Sequence, residues 1–316
     1  MSHMYTYSMK LFQKPLAHYT VFIGLYLLLT QVLPANKFDL AMYGLTPLRY
    51  HLLFLLVVLP FIGIWYAAFY SFSRLKTYAS AIQTSPEGQD FRQLAIGSGW
   101  LAYALPTLAI TKIIINTLTN TYPARHPAAI IFNNYLSLIL PFIAFTILSS
   151  SARQLANRAN LRLNIGAARG LIAIFIVLGV AYGYFSFNHL NHLSLLASDN
   201  RYYLPVWLVV VSIMIPYLYA WFIGLLAAYE IMLFAKQVKG VIYRQALRSV
   251  AYGLVIVIVS SIALQFVSCV MPYSSSSGTQ QLNSVLIGVF IVELLSAIGY
   301  GFIAVGARRL IKIEEV

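Results

Sequence analysis

The chain has 316 residues, of which 60% are hydrophobic, 15% aromatic and only 9% charged, and its mean hydropathy is +0.78. Soluble domains carry about 25% charged and about 45–50% apolar residues, so a soluble globular or disordered chain is excluded and lipid is the solvent for most of this one. The single cysteine, Cys269, excludes an intramolecular disulfide and thiolate metal centres, and the formal charge of +13 admits nucleic acid only if the basic residues cluster.

In chain order, Met1-Ser2-His3-Met4 reads as a vector-derived prefix, with the native start at Met4 or later. Apolar stretches of about 20 residues, each long enough to cross a hydrocarbon core of ~30 Å, then recur to the end. The sequence predicts eight: Ala17 to Leu33, Leu52 to Phe72, Leu94 to Leu118, Ala128 to Ser149, Gly170 to Phe187, Leu204 to Phe234, Val250 to Met271 and Val285 to Val305. They are continuous rather than alternating, which indicates helices and not barrel strands. The first has no small-residue cleavage pattern and is expected to be retained.

Basic residues set the orientation, because cytoplasmic loops keep an excess of Lys and Arg. Sixteen fall at the termini and in the loops after even-numbered spans; Lys37, Arg49, Arg125 and Arg201 fall on the other side, and Lys112 lies within a span. Both termini are expected in the cytoplasm and the chain in the plasma membrane. The charge is a topology signal with some affinity for anionic lipid, and no loop forms a compact basic domain for nucleic acid.

Internal similarity adds an architecture. Pro60-Phe61 with Trp65-Tyr66 recurs as Pro216-Tyr217 with Trp221-Phe222, 156 positions on. Phe91-Arg92-Gln93 recurs as Tyr243-Arg244-Gln245 at an offset of 152, and Ala152-Arg153-Gln154-Leu155 as Ala307-Arg308-Arg309-Leu310 at 155. The expected fold is therefore an all-α integral membrane protein of two parallel four-helix repeats (4+4). An N-terminal cytoplasmic segment covers residues 1–16 and the first repeat 17–151; a basic cytoplasmic linker covers 152–169, and the second repeat with a short tail 170–316. Units with an even number of spans enter the membrane in the same direction, so the repeats are parallel, related by an axis along the membrane normal.

Within the spans, Pro60 and Pro216 are expected to kink equivalent helices, with Tyr217 and the indoles of Trp65 and Trp221 nearby at mid-membrane depth. Ionisable residues in a span are costly and are functional candidates by default. Glu293 is the clearest, with Lys112 a possible buried partner of opposite sign, and Glu230 is expected to meet Arg74, its counterpart at offset 156, across the repeat axis. His189 and His192 share one helical face and are weak metal candidates beside Asp39 and Asp199. The sequence has no HExxH, P-loop, GxSxG elbow or paired intramembrane carboxylates, so no cofactor and no enzyme chemistry are expected.

Two functions fit this pattern. One is a permease-like or transporter-like module holding a small or amphiphilic solute between the repeats. The other is a non-transporting sensor input or scaffold subunit, completed by other membrane subunits or by a cytoplasmic output protein.

Overall fold

The computed structural model describes residues 14–32, 47–85, 87–118, 127–158, 215–270 and 278–314, with positions 170, 173, 176, 177, 179 and 180 also helical. Among the described residues the structure is all-helical: α1 (Pro15–Val32), α2 (Pro47–Ala81), α3 (Gly88–Leu118), α4 (Pro127–Arg158), α5 (Ile215–Gln237), α6 (Val241–Val270) and α7 (Gly278–Glu314). Five of these contain stretches long and apolar enough to cross a membrane: Gly88–Thr111, Ile139–Arg158, Tyr217–Gln237, Val241–Ala263 and Phe290–Ile313. The chain thus has the build of a multi-pass membrane protein. Most of the predicted fifth span and the start of the sixth lie outside the described residues.

Apolar residues face both inward and outward, as lipid solvation requires. Leu59, Tyr66, Tyr252, Val259, Phe290 and Ile291 are exposed on the outer surface, while Trp65, Phe69, Phe72, Trp221 and Ile231 are buried inside. On α7 the exposed face changes from apolar at Phe302 and Val305 to basic at Arg308, Arg309 and Lys312. The 37 residues of α7 measure ~55 Å at ~1.5 Å per residue, well beyond a hydrocarbon core of ~30 Å, so the basic end projects from the apolar belt.

Helix neighbours follow a closed order. α2 packs on α3, α3 on α4, α4 on α5, α5 on α6, α6 on α7, and α7 returns to α2; α1 lies outside this ring against α2 and α3. Tyr19, Phe22 and Tyr26 of α1 seat it against Tyr66, Phe69 and Trp65 of α2 with edge-on or tilted rings. Pro60, Pro106 and Pro141 lie inside α2, α3 and α4, and neighbouring helices make such interruptions tolerable in lipid.

The antiparallel pairs α3–α4 and α6–α7 approach through small residues, as membrane helices do when no water drives them together. A Cβ added to Gly97 would lie 3.1 Å from the Ala144 carbonyl oxygen and 2.7 Å from Leu148; one added to Gly253 would lie 2.5 Å from the Gly299 carbonyl oxygen and 2.6 Å from Ile303. Two turns away, Ser151 Oγ donates to the Asp90 carbonyl oxygen at 2.5 Å, and a Cβ on Gly306 would come within 2.6 Å of the Ala246 carbonyl oxygen. The α3 and α6 positions in these contacts differ by 156 and the α4 and α7 positions by 155. Buried positions of α2 recur in α5 at 156 as well, including Trp65 and Trp221, Phe72 and Ala228, Leu75 and Ile231.

The Phe91-Arg92-Gln93 and Tyr243-Arg244-Gln245 match, at 152, falls four positions short of the 156 that separates the α3 and α6 members of these contacts. The cause is in the turns. Residues 82–87 join α2 to α3, whereas only 238–240 join α5 to α6, so α6 starts three residues earlier than α3 does at an offset of 156. The longer turn closes through Ser85 N–H to Ile82 O at 2.9 Å and Gly88 N–H to Ser85 O at 3.0 Å. It requires glycine at 88, where a Cβ would sit 2.1 Å from the Ile82 carbonyl oxygen. The shorter turn is tied by the Arg244 guanidinium, which donates to Val238 O at 3.0 Å.

Candidate functional site

One group of polar side chains inside the apolar belt lies in the second half of the chain. Trp221 is buried on α5 beside Tyr217, with ring centroids 5.8 Å apart, and its indole N–H donates to Ser261 Oγ of α6 at 3.3 Å. The adjacent Ser260 accepts a hydrogen bond from Ser296 of α7 at 2.8 Å and donates to Val257 O at 2.9 Å. Glu293 lies three residues before Ser296, on the same face of α7. With Gly253 opposite Gly299 and Ala246 opposite Gly306, antiparallel register brings Glu293 level with Val259 and Ser260.

Glu293 is 5% exposed, and neither carboxylate oxygen has a hydrogen-bond partner among the described residues. Its side chain is directed into the bundle, as a carboxyl in a span requires. The side chain of Lys112, its expected partner, lies outside the described residues, as does that of Pro216; Pro60 is half-buried inside α2. His189 and His192 are also outside, and the described residues hold no cluster of three or more His, Cys, Asp or Glu suited to a metal.

The first half is built differently at the matching positions. Trp65 is 1% exposed between Tyr26 and Phe61, and its indole nitrogen has no hydrogen-bond partner among the described residues. The register that pairs Gly97 with Gly253 sets Ala104 and Leu105 against Ser260 and Ser261, and that of α4 and α7 sets Leu138 and Pro141 against Glu293 and Ser296. Among the described residues, this group of serines, Trp221 and Glu293 is drawn from α5, α6 and α7. Ser260, Ser261 and Ser296 were not anticipated; their signal was Ser260-Ser261 interrupting the run Val255 to Val259.

A second polar group closes the ring at its basic end. Tyr243 at the start of α6 donates to Glu87 Oε2 at 3.2 Å, and Tyr78 of α2 donates to the Tyr243 hydroxyl at 3.3 Å. Asp90 of α3 is 1% exposed and is held by Arg158 of α4 at 2.5 Å. Deeper in the apolar belt, His18 of α1 bonds the Tyr103 hydroxyl of α3, whose ring lies 4.8 Å from that of Phe69.

The expected pairing of Glu230 with Arg74 is corrected. Glu230 lies 3.5 Å from Arg153 of α4, and Arg74 instead covers the ring of Tyr70 at 4.9 Å. The neighbours of α5 in the ring are α4 and α6, so the cation reaching Glu230 comes from α4.

Comparisons with protein-family models, with curated proteins and with solved structures find no match.

Proposed function

We propose that this chain is a permease-like module of the plasma membrane, made of two parallel four-helix units with both termini in the cytoplasm. It holds a small or amphiphilic solute in the second unit, beside Glu293. The carrying observation is the Glu293 carboxylate, buried without a partner among the described residues, beside Ser260, Ser261 and Ser296, whose counterparts in the first unit are Ala104, Leu105 and Pro141. A carboxyl at this depth takes a proton or a cationic group, and an aromatic wall with few polar contacts suits an amphiphilic body.

The 4+4 reading draws support from the closed helix order, in which a half-turn exchanges α2 with α5, α3 with α6 and α4 with α7. It draws further support from the small-residue contacts at 156 and 155. Eight spans follow if the largely undescribed fifth stands to α5 and α6 as α1 stands to α2 and α3; Gly179, on that segment, already neighbours Leu218 of α5. The test is binding of ethidium, a fluorescent amphiphilic cation, to the purified protein in detergent. Saturable binding that weakens at least about tenfold in Glu293→Gln supports the reading, since a buried charge-assisted contact contributes about 1.5–3 kcal/mol. Equal binding by both proteins would refute it.

A second reading, a non-transporting sensor or scaffold subunit, is favoured by Val241 and Ile242, which are 64% and 60% exposed at the basic end. Co-purification of a stoichiometric cytoplasmic or membrane partner in mild detergent, lost on Ile242→Glu, would decide for it.

A further inference from the structure

The ring has two seams where its halves meet, α4 with α5 and α7 with α2, and they are not alike in charge. At the first, Glu230 is buried and Arg153 closes on it at 3.5 Å. The matching positions of the second seam are Arg74, 156 before Glu230, and Arg308, 155 after Arg153. Two cations thus stand where the other seam has an ion pair. Neither has an acidic partner in the ion pairs of the described residues, Arg153–Glu230 and Arg158–Asp90.

We propose that the α2–α7 seam binds the phosphate of an anionic phospholipid between Arg74 and Arg308, the lipid supplying the negative charge that Glu230 supplies opposite. The surroundings suit a lipid. Toward the apolar belt, Phe302 and Val305 of α7 are exposed at 42% and 47%, offering contact for an acyl chain. Toward the basic end Lys312 follows Arg308 by one turn, and the Tyr70 ring holds the Arg74 guanidinium at 4.9 Å. The seam therefore changes from apolar to cationic over about one helical turn, the depth at which a headgroup phosphate meets its chains. A free phosphate would gain from the arginines alone. The inference rests on the register of the two halves and not on the solute reading, so failure at Glu293 leaves it standing.

The experiment is native mass spectrometry of the full chain purified with phosphatidylglycerol, alongside thermal unfolding in phosphatidylglycerol and in phosphatidylcholine. The wild-type protein retains phosphatidylglycerol and is protected by it. Arg74→Glu and Arg308→Gln each reduce retention about fivefold or more, whereas Lys236→Gln, a change at an exposed lysine in the last turn of α5, does not. Arg74→Glu also recreates the ion pair of the other seam, so it unfolds at a higher temperature than wild type in phosphatidylcholine. Undiminished retention in a folded Arg308→Gln protein overturns the proposal, as does an equal loss in Lys236→Gln. Equal protection by inorganic phosphate overturns the assignment to a lipid.

Discussion

Glu87 and Tyr243 stand 156 positions apart in the chain and 3.2 Å apart in space. Pro60 and Pro216, Trp65 and Trp221, and Gly97 and Gly253 are separated by the same 156. In a two-fold arrangement a residue and its image meet only at the axis, so this hydrogen bond marks where the proposed axis leaves the basic end. Tyr78 of α2 adds a third group there, its hydroxyl donating to that of Tyr243 at 3.3 Å.

Removing one hydroxyl tests that closure. Tyr243→Phe deletes the bonds to Glu87 and Tyr78 while keeping the ring. Amide hydrogen exchange is expected to speed up in residues 82–91 and 240–246 by about tenfold or less, as a net hydrogen bond is worth ~0.5–1.5 kcal/mol. Exchange unchanged in both turns would show that the bond does not hold the halves together.

The close approach of α6 and α7 gives a graded series. Gly253→Val and Gly299→Val force side chains against the facing backbone and should destabilise by about 1–3 kcal/mol each, read as lower unfolding temperatures in detergent. Gly301→Ala, on the same helix with nothing within 4 Å of its added Cβ, should be neutral or slightly stabilising. Equal losses at 299 and 301 would contradict the packing.

The two ion pairs at the basic end are not equivalent. Arg158 holds Asp90 at 2.5 Å, whereas Arg153 approaches Glu230 at 3.5 Å; both carboxylates are buried, and the arginines are 44% and 61% exposed. Arg158→Gln leaves a buried carboxylate without its cation and should cost about 1–3 kcal/mol after allowance for the exposed arginine. Arg153→Gln should cost less. The reverse order in thermal unfolding would count against the geometry.

Orientation has its own test. With Cys269→Ala as background, a cysteine placed at Asn160 in the 152–169 linker should resist a membrane-impermeant maleimide in intact cells and react after lysis. Labelling before lysis would place the basic end outside.

Much of this structure was readable from residue pairs. Apolar runs point to the helical membrane class, and the 156 offset of Pro60-Trp65 and Pro216-Trp221, which also separates Gly97 from Gly253, supports the proposed repeat. Helix neighbours were not readable, which is why Glu230 was matched with Arg74: equivalence relates positions, while contact depends on which helices adjoin. The four-position shortfall of the Phe91-Arg92-Gln93 match escaped because α6 gains a turn of helix where α3 has a longer loop. Ser260 and Ser296 were passed over because hydroxyls in spans usually bond their own helix, as Thr111 and Thr146 do. Only the pairing of α6 with α7 makes them a link between helices and connects them with Glu293.

The proposed role of Glu293 is to hold a solute in the polar layer of the second unit. It is tested most directly by ethidium uptake into proteoliposomes containing the wild-type chain or Glu293→Gln, with matched reconstitution and thermal stability. Saturable uptake by the wild type and at least a tenfold loss in the variant are expected, since a buried charge-assisted contact contributes about 1.5–3 kcal/mol and about 1.4 kcal/mol is tenfold. Uptake equal in the two proteins, or no greater in wild type than in protein-free liposomes, would contradict it.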